Sequence, residues 1–293
     1  MRLTEKILDY GKLIRFSHTV FALPFALASV ALASINYPLT FRTLLWIVVA
    51  MVGARSAAMG FNRLADREID ALNPRTQGWE LPQGRIRVWE AALLTAIASL
   101  VFTFAAYQLN TLCFILSPIA LVILFFYSFT KRFTWTSHLF LGLALSLAPM
   151  GAWLAVTGSA NSLTELLTPF FLGLAVLFWL AGFDVIYSLQ DLDFDRRYGL
   201  HSITVRFGVV GGLRLSGLFH FLTVLFLALV GGSAGLGTIY WTGLLAVSLI
   251  LIWEHRLVKP DDFSRVNRAF FDFNAYVSIG YFVTILGDLL WNS

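Results

Sequence analysis

Asn62-Arg63-Leu64-Ala65-Asp66-Arg67-Glu68-Ile69-Asp70 closes an apolar run at about 39–61. Asp184-Val185-Ile186-Tyr187-Ser188-Leu189-Gln190-Asp191-Leu192-Asp193-Phe194-Asp195 closes another at about 164–190. Carboxylates beside hydrocarbon are costly, and where they occur they have a partner or a task. Asn62, Asp66 and Asp70 recur at i, i+4 and i+8, so on an α-helix their oxygens stack as one column. Arg55 and Met59 extend that face back into the apolar run. Asp184, Asp191 and Asp195 recur at i, i+7 and i+11 with Tyr187 one turn after Asp184, and the same logic predicts a second column. Glu68 and Asp193 fall off both faces. For any single Asp, a solvated helix end beside an Arg is a sufficient reading. Two clusters at helix-face spacing point instead to divalent cations holding an anionic group. Mg2+ takes one or two carboxylates and completes its shell with phosphate oxygens.

Around these clusters the 293-residue chain is 58% hydrophobic and 13% charged, where a soluble domain carries roughly 25% charged residues. Apolar runs stand at about 16–35, 39–61, 88–109, 112–130, 137–157, 164–190, 210–231, 236–254 and 269–290, each near the ~20 residues that cross a bilayer. The expectation is an all-α bundle of nine transmembrane helices forming a single integral-membrane domain over residues 1–293. Residues 1–13 set Leu3, Ile7, Leu8 and Tyr10 against Arg2, Glu5, Lys6 and Asp9, an amphipathic segment expected to lie along the interface. Ala31-Leu32-Ala33-Ser34 resembles a leader cleavage site, but an uncleaved first helix is expected because no exported domain follows. Cys113 is the single cysteine and the five His are scattered, which disfavours an intramolecular disulfide and a zinc site and leaves hard-cation chemistry through carboxylates.

Charge placement orients the bundle. Of the 21 Lys and Arg, only Arg42 falls in the loops of one side and Arg55 falls inside a span; the rest lie before the first span or after the second, fourth, sixth and eighth. Basic loops stay cytoplasmic. The N-terminus is therefore expected inside, the C-terminus outside, and both acid clusters on the cytoplasmic face. The second and sixth spans each run into an acidic motif and then a basic loop, as two similar half-sites.

Asn-x-x-x-Asp-x-x-x-Asp after the second span, with Asp-x-x-Tyr-x-x-x-Asp-x-x-x-Asp after the sixth, resembles the UbiA family of intramembrane prenyltransferases. Arg55 seven residues before Asn62, Tyr127 before Lys131-Arg132, and Leu81-Pro82-x-Gly84-Arg85 agree with it. The resemblance implies a nine-helix bundle whose central cavity opens to the cytoplasmic side and to lipid. It implies transfer of a polyprenyl chain from its diphosphate to an aromatic acceptor. Asn62, Asp66 and Asp70 would hold one Mg2+, and Asp191 and Asp195 another. Arg55, Lys131 and Arg132 would clamp the diphosphate or an acceptor carboxylate, with Tyr127, Arg75 and His201 beside the substrates. Asp184, or Asp191 through Tyr187, would assist deprotonation.

Two departures bear on the acceptor. Trp79 and Glu80 stand where the family usually has a basic residue and the first proline of Pro-Leu-Pro. Arg15-Phe16-Ser17-His18-Thr19-Val20-Phe21-Ala22-Leu23-Pro24 replaces Arg-x-Asp-Lys-Pro-Ile-Gly and is similar to the branch linked to the futalosine route to menaquinone. His18 would then contact the acceptor, either 4-hydroxybenzoate or a hydroxynaphthoate such as 1,4-dihydroxy-6-naphthoate, in ubiquinone or menaquinone biosynthesis. Haem, a chlorophyllide or a glycerol phosphate are the alternative acceptors. From another class, an ion-coupled transporter also carries intramembrane acids, but places them near the midplane on broken helices. The expected partners are the two substrates and the lipid bilayer, with no nucleic acid and no obligate protein partner, in a bacterial inner membrane.

Overall fold

The computed structural model describes residues 3–13, 19–159, 162–259, 262–263, 265–266 and 272–292. Among these, every regular element is helical. In chain order they are α1 (Leu3–Leu13), α2 (Thr19–Ala33), α3 (Phe41–Leu72), α4 (Val88–Leu109), α5 (Thr111–Thr130) and α6 (Ser137–Thr157). Then come α7 (Leu163–Ser188), a 3-10 turn (Leu189–Asp191), α8 (Leu192–Tyr198), α9 (Ile203–Ala234), α10 (Thr238–Leu257) and α11 (Asn274–Asn292). Seven helical stretches are long and apolar enough to cross a membrane: α3, α4, α5, α6, α7 continued to Tyr198, α9 and α10. This is a multi-pass membrane protein. The first and last expected spans coincide with α2, a shorter apolar helix, and with the 19-residue α11, which are outside those seven. Two compact units make up the chain, Met1–Thr19 with Thr40–Phe129, and Val20–Leu39 with Thr130–Ser293.

In the first unit α3 is the axis. Thr40 caps its start, the hydroxyl accepting from the Thr43 N–H at 3.1 Å. At 32 residues it is about 48 Å long, well beyond the ~30 Å of hydrocarbon. The apolar run ends near 61, but the helix does not, because Asn62 to Leu72 contains neither Gly nor Pro. It stops at Asn73-Pro74, where Asn73 Oδ1 turns back to accept from the Arg75 N–H at 2.9 Å. The acids therefore ride the last turns of a helix that the membrane-buried part holds rigid. Gly53 lets α4 approach closely, since a Cβ there would lie 2.9 Å from the Phe102 nitrogen. Phe61 stacks on Phe125 of α5 with centroids 4.3 Å apart.

α1 is fastened to this unit by the Lys6–Glu90 ion pair and by Leu13, which is buried with Leu81, Ile86 and Ala91. On α1, Leu8 is 63% exposed while its neighbour Asp9 is buried. Arg85 at 3.8 Å and Lys12 at 3.9 Å neutralise Asp9 and so permit its burial.

The second unit is built on α7. Phe25 of α2 packs between Trp179 (4.9 Å) and Tyr281 (5.3 Å), joining α2, α7 and α11 in one core. Gly142 lets α6 press against the Leu177 carbonyl of α7, a place where a Cβ would collide. Buried polar groups are matched to helix ends: Asp288 of α11 accepts from the Gly237 and Tyr240 N–H groups at 2.8 and 3.0 Å. These are N-terminal donors that α10 cannot satisfy internally. The basic loop expected between the sixth and seventh spans is largely helical, taken up by α8 and the first turns of α9. Gly208, with φ 70 and ψ −179, divides α9 into two helical stretches, a conformation open to glycine because it lacks a Cβ.

Candidate active site

The column predicted on α3 forms on one unbroken helix. Asn62 donates through Nδ2 to Asp66 Oδ2 at 3.1 Å and to the Ser128 hydroxyl at 3.4 Å. Asp66 and Asp70 are both buried. Tyr127 bonds Ser128 and lies within electrostatic reach of Arg55, Asp66 and Arg63, so Arg55, Asn62, Asp66 and Tyr127 form one neighbourhood. Asp70 is 3.6 Å from Arg63, the two side chains only 10% and 5% exposed. Arg63 in turn lies flat on Trp79, 3.6 Å from the ring centroid, and Arg75 reaches the same ring at 5.7 Å. Trp79 therefore supplies a negative π-face to two guanidiniums. Glu80 is engaged elsewhere, by Arg85 at 3.3 Å. In the sequence Arg63 reads only as one of the basic residues after the second span. Its seven-residue spacing to Asp70 puts it on the same helix face two turns back, a signal that was present.

The second cluster departs from the single column expected of it. α7 ends at Ser188, whose hydroxyl bonds back to the Val185 carbonyl at 2.8 Å and across to Thr204 at 3.1 Å. A hydroxyl bonding back onto the ladder bends helices. A 3-10 turn carries the chain through Asp191, and α8 starts afresh. The tighter winding of that turn breaks the i, i+7, i+11 register. Asp184 and Tyr187 thus belong to α7, Asp191 to the turn and Asp195 to α8, all of them half-buried. Asp184 is paired with His138 of α6 at 2.6 Å, a residue that sequence reasoning missed. The histidine sits 46 residues away from its acid, where no local periodicity links them. His201 is exposed, but its N–H donates to the Lys131 carbonyl at 2.7 Å, which draws two expected substrate residues together. Arg132 follows Lys131 in the same half-buried turn. His18 lies outside the described residues.

Among the described residues no three His, Cys, Asp or Glu side chains converge closely enough to hold a metal ion by themselves. The donors are nonetheless those of a hard cation: amide and carboxylate oxygens from Asn62, Asp66 and Asp70, and carboxylates from Asp191 and Asp195. They fit Mg2+, which binds through one or two carboxylates and the phosphates of its substrate.

A multi-pass helical protein with oxygen donors and guanidiniums gathered at helix ends belongs to the class of membrane enzymes that handle anionic substrates. The profile of the UbiA prenyltransferase family matches residues 22–277. The 4-hydroxybenzoate octaprenyltransferase of Marinobacter nauticus is 30% identical over 288 residues, spanning 97% of this chain and 95% of that protein. A UbiA homologue from Aeropyrum pernix superposes with a TM-score of 0.84 at 36% identity, covering 93% of this chain and 98% of that one. A UbiA homologue from Archaeoglobus fulgidus, bound to GPP and Mg2+, shares the fold with a TM-score of 0.65 at 19% identity, covering 95% and 99%. The chain belongs to the UbiA prenyltransferase family. It is a prenyltransferase, and the ion-coupled transporter is set aside.

Proposed function

We propose that this enzyme transfers a polyprenyl chain from polyprenyl diphosphate to an aromatic acceptor of quinone biosynthesis, 4-hydroxybenzoate or a hydroxynaphthoate such as 1,4-dihydroxy-6-naphthoate. The observation that carries this reading is the Asn62–Asp66–Asp70 column on a continuous α3, flanked by Arg55 and Tyr127. The 4-hydroxybenzoate activity named for the Marinobacter relative supports the aromatic acceptor. GPP and Mg2+ on the Archaeoglobus homologue support the donor class and the metal.

Residues 1–293 form in this reading a single catalytic domain of nine spans, N-terminus inside, with the acids on the cytoplasmic side. Asn62, Asp66 and Asp70 would hold one Mg2+, and Asp191 and Asp195 a second. When bound, Mg2+ neutralises the diphosphate and favours its departure. Arg55, Lys131 and Arg132 add fixed positive charge where the leaving group gains negative charge, with Arg75 and His201 at the cytoplasmic rim. The allylic C–O bond ionises, and the surrounding apolar helices exclude water from the cation. The hydroxylated ring attacks ortho to its hydroxyl and the ring proton leaves to Asp184, or to Asp191 through Tyr187. The isoprenoid tail lies toward lipid.

The test is conversion of a polyprenyl diphosphate with Mg2+ and each acceptor separately. Prenylated product with at least one of them is expected. Product with neither refutes the aromatic reading, and the preferred acceptor separates the two routes.

A further inference from the structure

His138 is the second residue of α6 and is buried. Its two ring nitrogens have different partners. Nδ1 lies 2.6 Å from Asp184 Oδ2, and Nε2 accepts from the Ile203 N–H at 3.4 Å. Ile203 opens α9, and its N–H belongs to the first turn, whose donors have no partner within the helix. A nitrogen that receives an N–H carries no proton of its own, so the imidazole proton resides on Nδ1 and is donated to Asp184. The α9 N-terminus thereby sets the tautomer, and the tautomer sets the carboxylate.

The pair is lopsided in exposure. The His138 side chain is 4% exposed and that of Asp184 24%. The buried imidazole holds one oxygen, Oδ2, of a carboxylate that stays part-exposed. The main chain on either side of Asp184 is held as well. Gly182 O accepts from the Ser216 hydroxyl at 2.6 Å, and Val185 is buried in a cluster with Ile203. A base whose side chain is oriented by a hidden third group follows the logic of a nucleophile–base–orienter set, one place along.

We propose that His138 is the positioning residue of the prenyl-transfer step, presenting Asp184 Oδ1 as the base that takes the ring proton. This rests on the aromatic prenylation proposed above. After the new C–C bond forms, the ring C–H breaks. Its electron pair restores the aromatic ring, and its proton goes to Asp184, which then releases it to water. The Nδ1 proton stays on His138 throughout.

The experiment uses the full chain with Mg2+, geranyl diphosphate and the accepted arene, following diphosphate release and prenylated product separately. His138→Phe is expected to lower kcat for product by about 10- to 100-fold, as loss of an orienting partner does, with the donor KM within about twofold. His138→Asn, whose amide nitrogen falls near the Nδ1 position, is expected to keep most activity, and His138→Gln, whose amide reaches past it, to lose it. In an Asp184→Asn background His138→Phe is expected to cost nothing further, because coupled residues are not additive. Wild-type kcat in His138→Phe, or losses that add in the double variant, overturn the proposal and leave the aromatic reading standing. If His138→Phe does not fold, equal rates for the Asn and Gln variants overturn it. A wild-type chain that prenylates no arene overturns the aromatic reading and this role together.

Discussion

Asn62, Asp66 and Asp70 ride one unbroken helix, whereas Asp184, Asp191 and Asp195 are distributed over the end of α7, a 3-10 turn and α8. The two sets also differ in what faces them. Asp70 is balanced by Arg63 from its own helix, and that guanidinium is steadied by Trp79 from the following loop. Asp184 is met by a histidine from a neighbouring helix. A continuous helix stacks its ligands by local geometry alone. A helix interrupted by a 3-10 turn needs packing from elsewhere to hold its acids. The first arrangement suits a rigid ligand column, and the second suits acids with separate tasks.

The largest expected effect tests whether both sets are needed despite that difference. Asp66→Ala and Asp191→Ala should each lower turnover by about 1,000-fold or more, the scale of losing charge stabilisation at a departing anion. Product formation under saturating Mg2+ checks it, and a variant that keeps more than a tenth of the rate breaks the two-metal assignment for its half. A smaller effect probes the local balance on α3. Arg63→Ala removes the guanidinium 3.6 Å from the buried Asp70 and should cost about 3 kcal/mol. Trp79→Ala removes the π-face under Arg63 and Arg75, a contact that should cost about 1 kcal/mol to lose. Thermal unfolding in detergent ranks the two, and equal losses would show that the stack, not the ion pair, holds Asp70.

The smallest expected effect lies away from the acids, at α1. The hydrogen bond from Lys6 to Glu90 raises the Lys6 pKa above its ordinary 10.5. A raised amine contributes stability that is complete below its unfolded value and lost as pH rises through its folded one. The difference in melting temperature between wild type and Lys6→Met should therefore be constant through neutral pH and shrink above pH 10.5. A difference that persists unchanged beyond that range would mean that the charge of Lys6 does not fasten α1.

Much of this is legible in the sequence, and the reason differs by element. The α3 column could be read from spacing because it depends only on the 3.6-residue period and on the lack of a breaker before Asn73-Pro74. The second column was misread for the same reason turned around. Ser188 carries no strong breaking signal, and its bond to Thr204 exists only once α9 has packed. The stretch after Asp195 reads as a basic loop, yet it is helical in α8 and α9, Ser202 capping α9 by accepting from the Val205 N–H at 3.1 Å. Trp79 read as a departure from a pattern; the structure makes it the platform for Arg63 and Arg75.

By itself the sequence determined the membrane class, the helical runs and the α3 column, because apolar length and helical period are properties of consecutive residues. Tertiary structure alone decided which partners Asp184 and Glu90 meet. Lys6 finds Glu90 and His138 finds Asp184 across 84 and 46 residues, and such pairs are set by how helices pack, not by any spacing along the chain.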